Sequence, residues 1–263
     1  MKKHLTVLIF CLFVASLGRS QSLPYLKEPT YKVGEVLTYK LKYGFISAAS
    51  GTLSVHKSKY NFGVKDAIHL SAFGQTTGAF SALYTIKNQY DSYVDQRTFL
   101  PILYTENIRE NKYRRVEYAT FDHKNKKVSG KKGTFKSPTE QTFDLVSAYY
   151  FSRNLDFSKL KPGDKFKVSY FLNDEVEQLG IEYIGVEKIK SSLGDIECIK
   201  LSPEITPGRI FKKSSRLYLW VTNDGNRIPV KAQVEILIGS VTMELVNAEG
   251  LKYPLGQRVS YSK

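Results

Sequence analysis

Glu35-Val36-Leu37-Thr38-Tyr39-Lys40-Leu41-Lys42-Tyr43 is the stretch that decides the fold class. Leu37, Tyr39, Leu41 and Tyr43 fall on one face, and Thr38, Lys40 and Lys42 on the other. That two-residue period belongs to a strand with one packed face and one wet face. Similar runs follow at 51–57, 67–73, 102–108 and 113–121, then at 165–172, 181–189, 196–201, 216–221, 228–237 and 240–246. Short alternating runs separated by turn residues predict an all-β chain, an antiparallel meander forming a large curved sheet, a sandwich or a barrel-like domain. Asn223-Asp224-Gly225-Asn226 is expected to be a hairpin turn with residues at positive φ, and Gly239-Ser240 a tight second one.

One segment breaks the period. From Phe143 to Phe151 the apolar residues fit about two turns of helix better than a strand, so a short helix is expected near 143–152, capped by Asp144 or Thr142. A weaker helical cluster spans 79–84. Lys32-Val33-Gly34-Glu35-Val36-Leu37 is echoed by Lys161-Pro162-Gly163-Asp164-Lys165-Phe166, each opening a strand. A glycine followed by an acid before a strand is also ordinary turn chemistry.

These segments carry a resemblance. Gly34-Glu35-Val36-Leu37-Thr38-Tyr39 with Ala49-Ser50-Gly51, Asp144-Leu145-Val146-Ser147-Ala148-Tyr149-Tyr150 followed by Arg153, and Leu219-Trp220-Val221 with Asp224, Arg227, Ile228 and Pro229 resemble the bacterial family called domain of unknown function 3108. The likeness runs over about 31–246, with Ser50 standing where an alanine is more usual. It implies an exported β protein and carries no catalytic residues over.

The first twenty residues read as a secretory signal: Lys2 and Lys3, an apolar run from Leu5 to Leu17, then Gly18-Arg19-Ser20. Cleavage after Ser20 is expected, leaving 21–263 as one β-rich domain in the periplasm or outside the cell. The apolar run is shorter than the ~20 residues that cross a bilayer, and no later run approaches that length. Cys11 lies inside the run without a lipidation motif, so a soluble mature chain is expected. Cys198 then stands alone, which excludes an intramolecular disulfide, and the alternation around it places it as a small buried hydrophobe.

Lys and Arg outnumber Asp and Glu by 39 to 25, or by 36 to 25 without Lys2, Lys3 and Arg19. Outside the cytoplasm an anionic partner would be an amphiphile or an acidic glycan, not nucleic acid. Basic residues cluster only at 109–115 and 124–132, both read as hairpin ends. His56, His69 and His123 have no second ligand at metal spacing, and no nucleotide, hydrolase or zinc-protease motif is present, so neither cofactor nor metal is expected. His56 and His69 are placed to meet across a hairpin. Glu35, Asp144 and Asp164 each open an element and read as capping or turn-closing carboxylates.

The candidate ligand-binding residues are Asp144, Ser147, Tyr149, Tyr150 and Arg153 on the short helix, with Trp220 as an interior or cavity-lining indole. Asp144 and Ser147 are spaced to hydrogen-bond each other, and Ser147 has no histidine base nearby. Arg153 would either meet an anionic head group or pair with a carboxylate of the protein. The 18 Tyr and 15 Phe suit half-buried strands as well as glycan or amphiphile binding. Three function classes stay open: noncatalytic binding of a lipid, lipopolysaccharide-like or glycan ligand; a glycosidase-like hydrolase with carboxylates from separate strands; and a structural or assembly factor.

Overall fold

The computed structural model describes residues 25–26, 28–64, 66–205 and 215–258, so the signal segment lies outside the described residues. Fifteen strands and two short helices follow in the order β1 (Val36–Tyr43), β2 (Ile46–Lys57), β3 (Ala67–Thr76), α1 (Gly78–Leu83), β4 (Lys87–Asp95), β5 (Pro101–Glu110), β6 (Tyr113–Asp122), β7 (Lys127–Gly130), β8 (Gly133–Lys136), β9 (Thr142–Phe143), α2 (Leu145–Ser152), β10 (Lys165–Leu172), β11 (Glu175–Ser191), β12 (Gly194–Pro203), β13 (Leu217–Thr222), β14 (Pro229–Glu235) and β15 (Ser240–Glu249). All join one sheet in the order β8-β7-β6-β5-β4-β3-β2-β1-β15-β14-β13-β12-β11-β10-β9. Every pairing is antiparallel except the two-residue contact of β9 with β10.

The meander therefore joins its own ends. β1 pairs with β15, from Val36 opposite Glu249 to Tyr43 opposite Val241. The sheet stays open midway along the chain, between β8 and the β9–β10 margin. Side chains bridge that gap: Phe135 lies 5.5 Å from Phe171 between ring centroids, and Lys132 pairs with Asp174 at 2.7 Å. The sheet is thus rolled until its margins touch, without a closing ladder of backbone hydrogen bonds. The gap falls where the chain leaves the meander to form α2.

Alternation sets what the roll encloses. Val55, Leu70, Val94, Tyr104, Ala119, Val168 and Ile199 from successive strands form one buried cluster with Val146, Tyr150 and Phe151 of α2. Such a side-chain period of two fixes the register, because a one-residue slip would turn this whole set outward.

Because neighbours are antiparallel, the turns sort into two ends. Glycine-bearing turns at 44–45 and 236–239, the α1 loop, and the turns at 111–112 and 173–174 lie at one end; those at 96–100, 123–126, 192–193 and 223–228 lie at the other. α2 blocks the second end, packed on β3, β4, β9 and β10. We refer to these as the open and the plugged end.

Two turn expectations resolve differently. The loop after β13 does hold a hairpin, but its positive φ falls at Arg227 (50°) and not at Gly225. Asp224 organises it instead, its Oδ1 accepting from the N–H of Asn226 (3.0 Å) and Arg227 (3.1 Å) and from Thr222 Oγ1 (2.6 Å). The echo between 32–37 and 161–166 is real at the backbone. Gly34 and Gly163 have φ of 97° and 95°, and Glu35 N–H donates to Lys32 O (3.1 Å) as Asp164 N–H donates to Lys161 O (2.9 Å).

Candidate functional site

α2 is set by its first residue. Asp144 accepts from the N–H groups of Val146 and Ser147, both at 2.9 Å, while Ser147 Oγ accepts from Asp144 N–H at 3.0 Å. This reciprocal box satisfies N–H groups that a helix start leaves orphaned. Ser147 Oγ also donates to Asp144 Oδ2 (2.8 Å), as does Ser92 of β4 (2.6 Å). Burial raises the Asp144 carboxyl above its usual range, and these hydrogen bonds offset part of that. Asp144 and Ser147 therefore lock the plug in place.

At the far end of the helix Arg153 is 2% exposed. Its Nη1 and Nη2 grip Glu35 Oε1 (2.5 Å) and Oε2 (2.9 Å), and Nε and Nη2 donate to Asn226 O at 3.1 and 2.8 Å. The rings of Tyr31, Tyr149 and Tyr150 surround the guanidinium at 5.3, 5.9 and 5.2 Å. Burial is the largest influence and opposes the charge, but Glu35 together with Tyr149 and Tyr150 more than offsets it and lifts the Arg153 pKa above its ordinary range. Burial likewise raises Tyr149 and Tyr150, so both phenols stay protonated. Glu35 is a correction to its turn-closing assignment: its backbone closes the turn, while its side chain crosses to α2. An external anion would reach Arg153 only by displacing Glu35.

The helix thus gathers Asp144, Ser147, Tyr149, Tyr150 and Arg153 but not Trp220. That indole is buried in a separate cluster with Ile196, Cys198 and Val230, its Nε1 donating to the Glu187 carboxylate and Lys200 and Lys231 lying over the ring at 4.9 and 5.1 Å. Burial pushes the neighbouring Cys198 thiol up to about 12, which leaves it protonated and inert. His56 and His69 do meet across β2 and β3, at 5.4 Å between centroids, with His56 on Ser54 Oγ (2.8 Å) and His69 on Asp91 (2.7 Å).

A second group, at the open end, was not expected as a site, although its Arg115 and Lys132 belong to the two basic clusters read as hairpin ends. A cleft of about 340 Å³ lies along the gap in the sheet, walled by Tyr104, Glu106, Tyr113, Arg115, Glu117 and the β10–β11 turn. Glu106 is buried, held by Arg115 Nη2 at 2.5 Å and by the Tyr104 hydroxyl at 3.0 Å. Arg115 reaches across the gap to Asn173 Oδ1 (3.2 Å). Glu106 and Glu117 are direct partners in the β5–β6 ladder, so both carboxylates face the cleft. The signal was in the alternation: the inward phase of 102–108 and 113–121 turns from apolar to Glu106, Arg115 and Glu117 as the strands approach this end.

The model of a family of proteins of unknown function, DUF3108, matches residues 38–246. The chain belongs to the DUF3108 family. That agrees with the likeness read from residues 34–39, 144–153 and 219–229. No curated protein sequence matches it.

Among solved structures, the DUF3108 chain is similar to a β-barrel-like protein of a different unassigned domain, DUF1849, from Brucella abortus. The identity is 10%, with 84% of this chain and 99% of that chain covered at a TM-score of 0.53. It is also similar to a Bacteroides fragilis protein described as a "putative exported protein with YmcC-like fold", at 13% identity, 86% and 100% coverage and a TM-score of 0.41. The first likeness establishes a shared β-barrel-like fold. Among the described residues no helix is long and apolar enough to cross a membrane, and no group of three or more His, Cys, Asp or Glu is placed to hold a metal ion.

Chemically the two groups differ. Around Arg153 the guanidinium is held by the protein itself. In the cleft, phenol rings, the carboxylates of Glu106, Glu117 and Asp174, the Arg115 guanidinium, the Asn173 amide and the Lys132 ammonium converge on a space open to solvent. Burial, reinforced by Glu106, pushes the Tyr104 hydroxyl well above the usual tyrosine range, so it serves as a donor.

Proposed function

We infer that this member of DUF3108 is a noncatalytic binding protein of the bacterial envelope, exported through its leader, which takes the glycan-like head of an amphiphile into the open-end cleft. The observation that carries it is the combination of Tyr104 and Tyr113 with Asn173, Glu117, Arg115 and Lys132 around one space of about 340 Å³. Ring faces pair with the apolar faces of sugars, and fixed polar groups of both signs answer hydroxyls and anionic substituents. The envelope assignment is supported by Lys2, Lys3 and the apolar run ending before Ser20.

Native mass spectrometry of protein recovered from its own envelope tests this directly. The wild type should carry a glycan-bearing adduct on a chain beginning at Gln21, and Tyr113→Ala should lose the adduct without a change in melting temperature. A wild type that carries nothing sinks the idea. Loss of the adduct in the doubly replaced Glu35→Leu with Arg153→Met, with its melting temperature near the wild-type value, would move the site to the plugged end.

One observation favours hydrolysis as a second reading. Glu106 and Glu117 stand directly opposite each other on adjacent strands, and a pair of carboxylates facing one cleft is the basic equipment of a glycosidase. Arg115 holds Glu106, and Glu117 stands on the strand beside it. Release of reducing ends from envelope glycans by the wild type, abolished in Glu106→Gln, would select this reading over simple binding.

A further inference from the structure

The most exposed of the large apolar side chains gather at one end, while Val116, Tyr118 and Val186 are exposed singly on the outer wall. Among the described residues the three most exposed large hydrophobics are Phe45 (92%), Leu83 (81%) and Ile238 (78%), and all three sit on turns of the open end. Ile46 and Leu237 adjoin them, both about half exposed. At the plugged end Tyr25, Val33, Tyr60 and Leu255 are each exposed by less than half. Lone exposed apolar residues are ordinary, whereas a contiguous set on one rim marks a contact surface.

The rim is stitched into one piece. Gly44 N–H donates to Ser240 O (3.0 Å) and the Tyr43 hydroxyl to Ile238 O (2.9 Å), joining the β1–β2 and β14–β15 turns. Thr77 N–H donates to Ala48 O (3.0 Å), attaching the α1 loop to β2. Asn111 N–H donates to Thr85 O and Thr85 N–H to Asn111 Oδ1, both at 2.8 Å, attaching the β5–β6 turn to the α1 loop. These bonds fix Phe45, Leu83 and Ile238 outward on tips that do not fold back over the sheet.

The next tip along supplies charge. The β5–β6 turn carries Arg109, Lys112 and Arg114 against Glu110, and Arg114 Nη1 donates to the backbone oxygens of Asn111 (2.6 Å) and Tyr113 (2.8 Å). Lys131 follows on the exposed β7–β8 turn. Apolar side chains on rigid tips beside basic ones match the layered chemistry of an anionic bilayer, in which acyl chains lie beneath phosphate head groups.

We propose that the open end docks on an anionic lipid surface, with Phe45, Leu83 and Ile238 entering the acyl boundary and Lys112 and Arg114 meeting lipid phosphates. This contact uses none of the cleft residues. It would set the cleft mouth at the membrane, where an amphiphile could pass between bilayer and protein without crossing water.

The test is co-flotation of protein, expressed as the full chain and recovered from the envelope, with vesicles of phosphatidylcholine alone or mixed with phosphatidylglycerol. The wild type should float with the mixed vesicles and less with phosphatidylcholine alone. The triple variant Phe45→Ser, Leu83→Ser, Ile238→Ser should bind both about tenfold less or worse, because the apolar transfer term is gone. Lys112→Glu with Arg114→Glu should erase only the preference for phosphatidylglycerol. An unchanged melting temperature confirms that each variant is folded. The proposal is overturned if the wild type ignores both vesicles, or if the triple variant floats as the wild type does. It is equally overturned if the rim instead holds two copies together, seen as a wild-type dimer that the triple variant dissolves while neither floats.

Discussion

The turns at 32–35 and 161–164 share a backbone and differ in everything their acids touch. In both, a glycine at positive φ precedes the acid, and the same pair of bonds ties the turn to the next strand. Gly34 N–H donates to Val55 O and Val55 N–H to Glu35 O; Gly163 N–H donates to Tyr183 O and Tyr183 N–H to Asp164 O. Yet Glu35 is fully buried on Arg153, while Asp164 is exposed and its carboxylate accepts from Lys161 N–H of its own turn (2.8 Å). The backbone conformation is local chemistry, and the fate of the carboxylate is decided by what the rolled sheet brings opposite.

The strongest way to break that contrast is at the buried pair. Arg153→Ala should cost about 3–5 kcal/mol in urea denaturation, because it strands the Glu35 charge in the interior. Replacing both, as Glu35→Leu with Arg153→Met, should recover most of the loss, since the desolvation of two charges disappears with them. A single variant as stable as the wild type would mean that Glu35 reaches water.

The glycines sharpen the shared part. A Cβ at Gly34 or at Gly163 would meet nothing within 4 Å, so alanine at either position is penalised only by its positive φ. Each change should cost about 1–2 kcal/mol, and the two costs should agree. A large inequality would show that the turns are not equivalent in solution. Smallest is Asp164→Ala, which removes one exposed hydrogen bond and should cost about 0.5–1 kcal/mol in the same titration.

Such contrasts explain what the sequence disclosed. β1, β3, β5, β6 and β10 were legible because their inward positions are apolar over most of their length, and α2 because its period changes. β4 was not. Its inward Asn88 and Ser92 face polar partners, Ser92 on Asp144 and Asn88 Nδ2 donating to Glu110 (2.8 Å), so the apolar alternation is broken at every second inward position. β7 and β8 have four residues each, too few for a period. The Asp144–Ser147 box was readable from a spacing of three. The Glu35–Arg153 pair was not, because its members lie 118 positions apart and no local rule selects between Glu35 and Asp164. Glu106, Arg115 and Glu117 were visible as residues but became a cleft only once the margins of the sheet were brought together.

The pairing of β1 with β15 has a consequence for how the chain comes into being. The chain is made from its amino terminus, so β1 is the earliest of the described strands to appear and β15 the last. Until the final strand appears, β1 offers an unpaired edge facing a crowded compartment. Closing that seam joins two ends of the sequence, the kind of distant contact that slows folding most. Maturation should therefore be paced by arrival of the carboxyl-terminal strands. Truncating β15 should leave a chain that retains most of its other pairings yet aggregates through the exposed margin of its first strand.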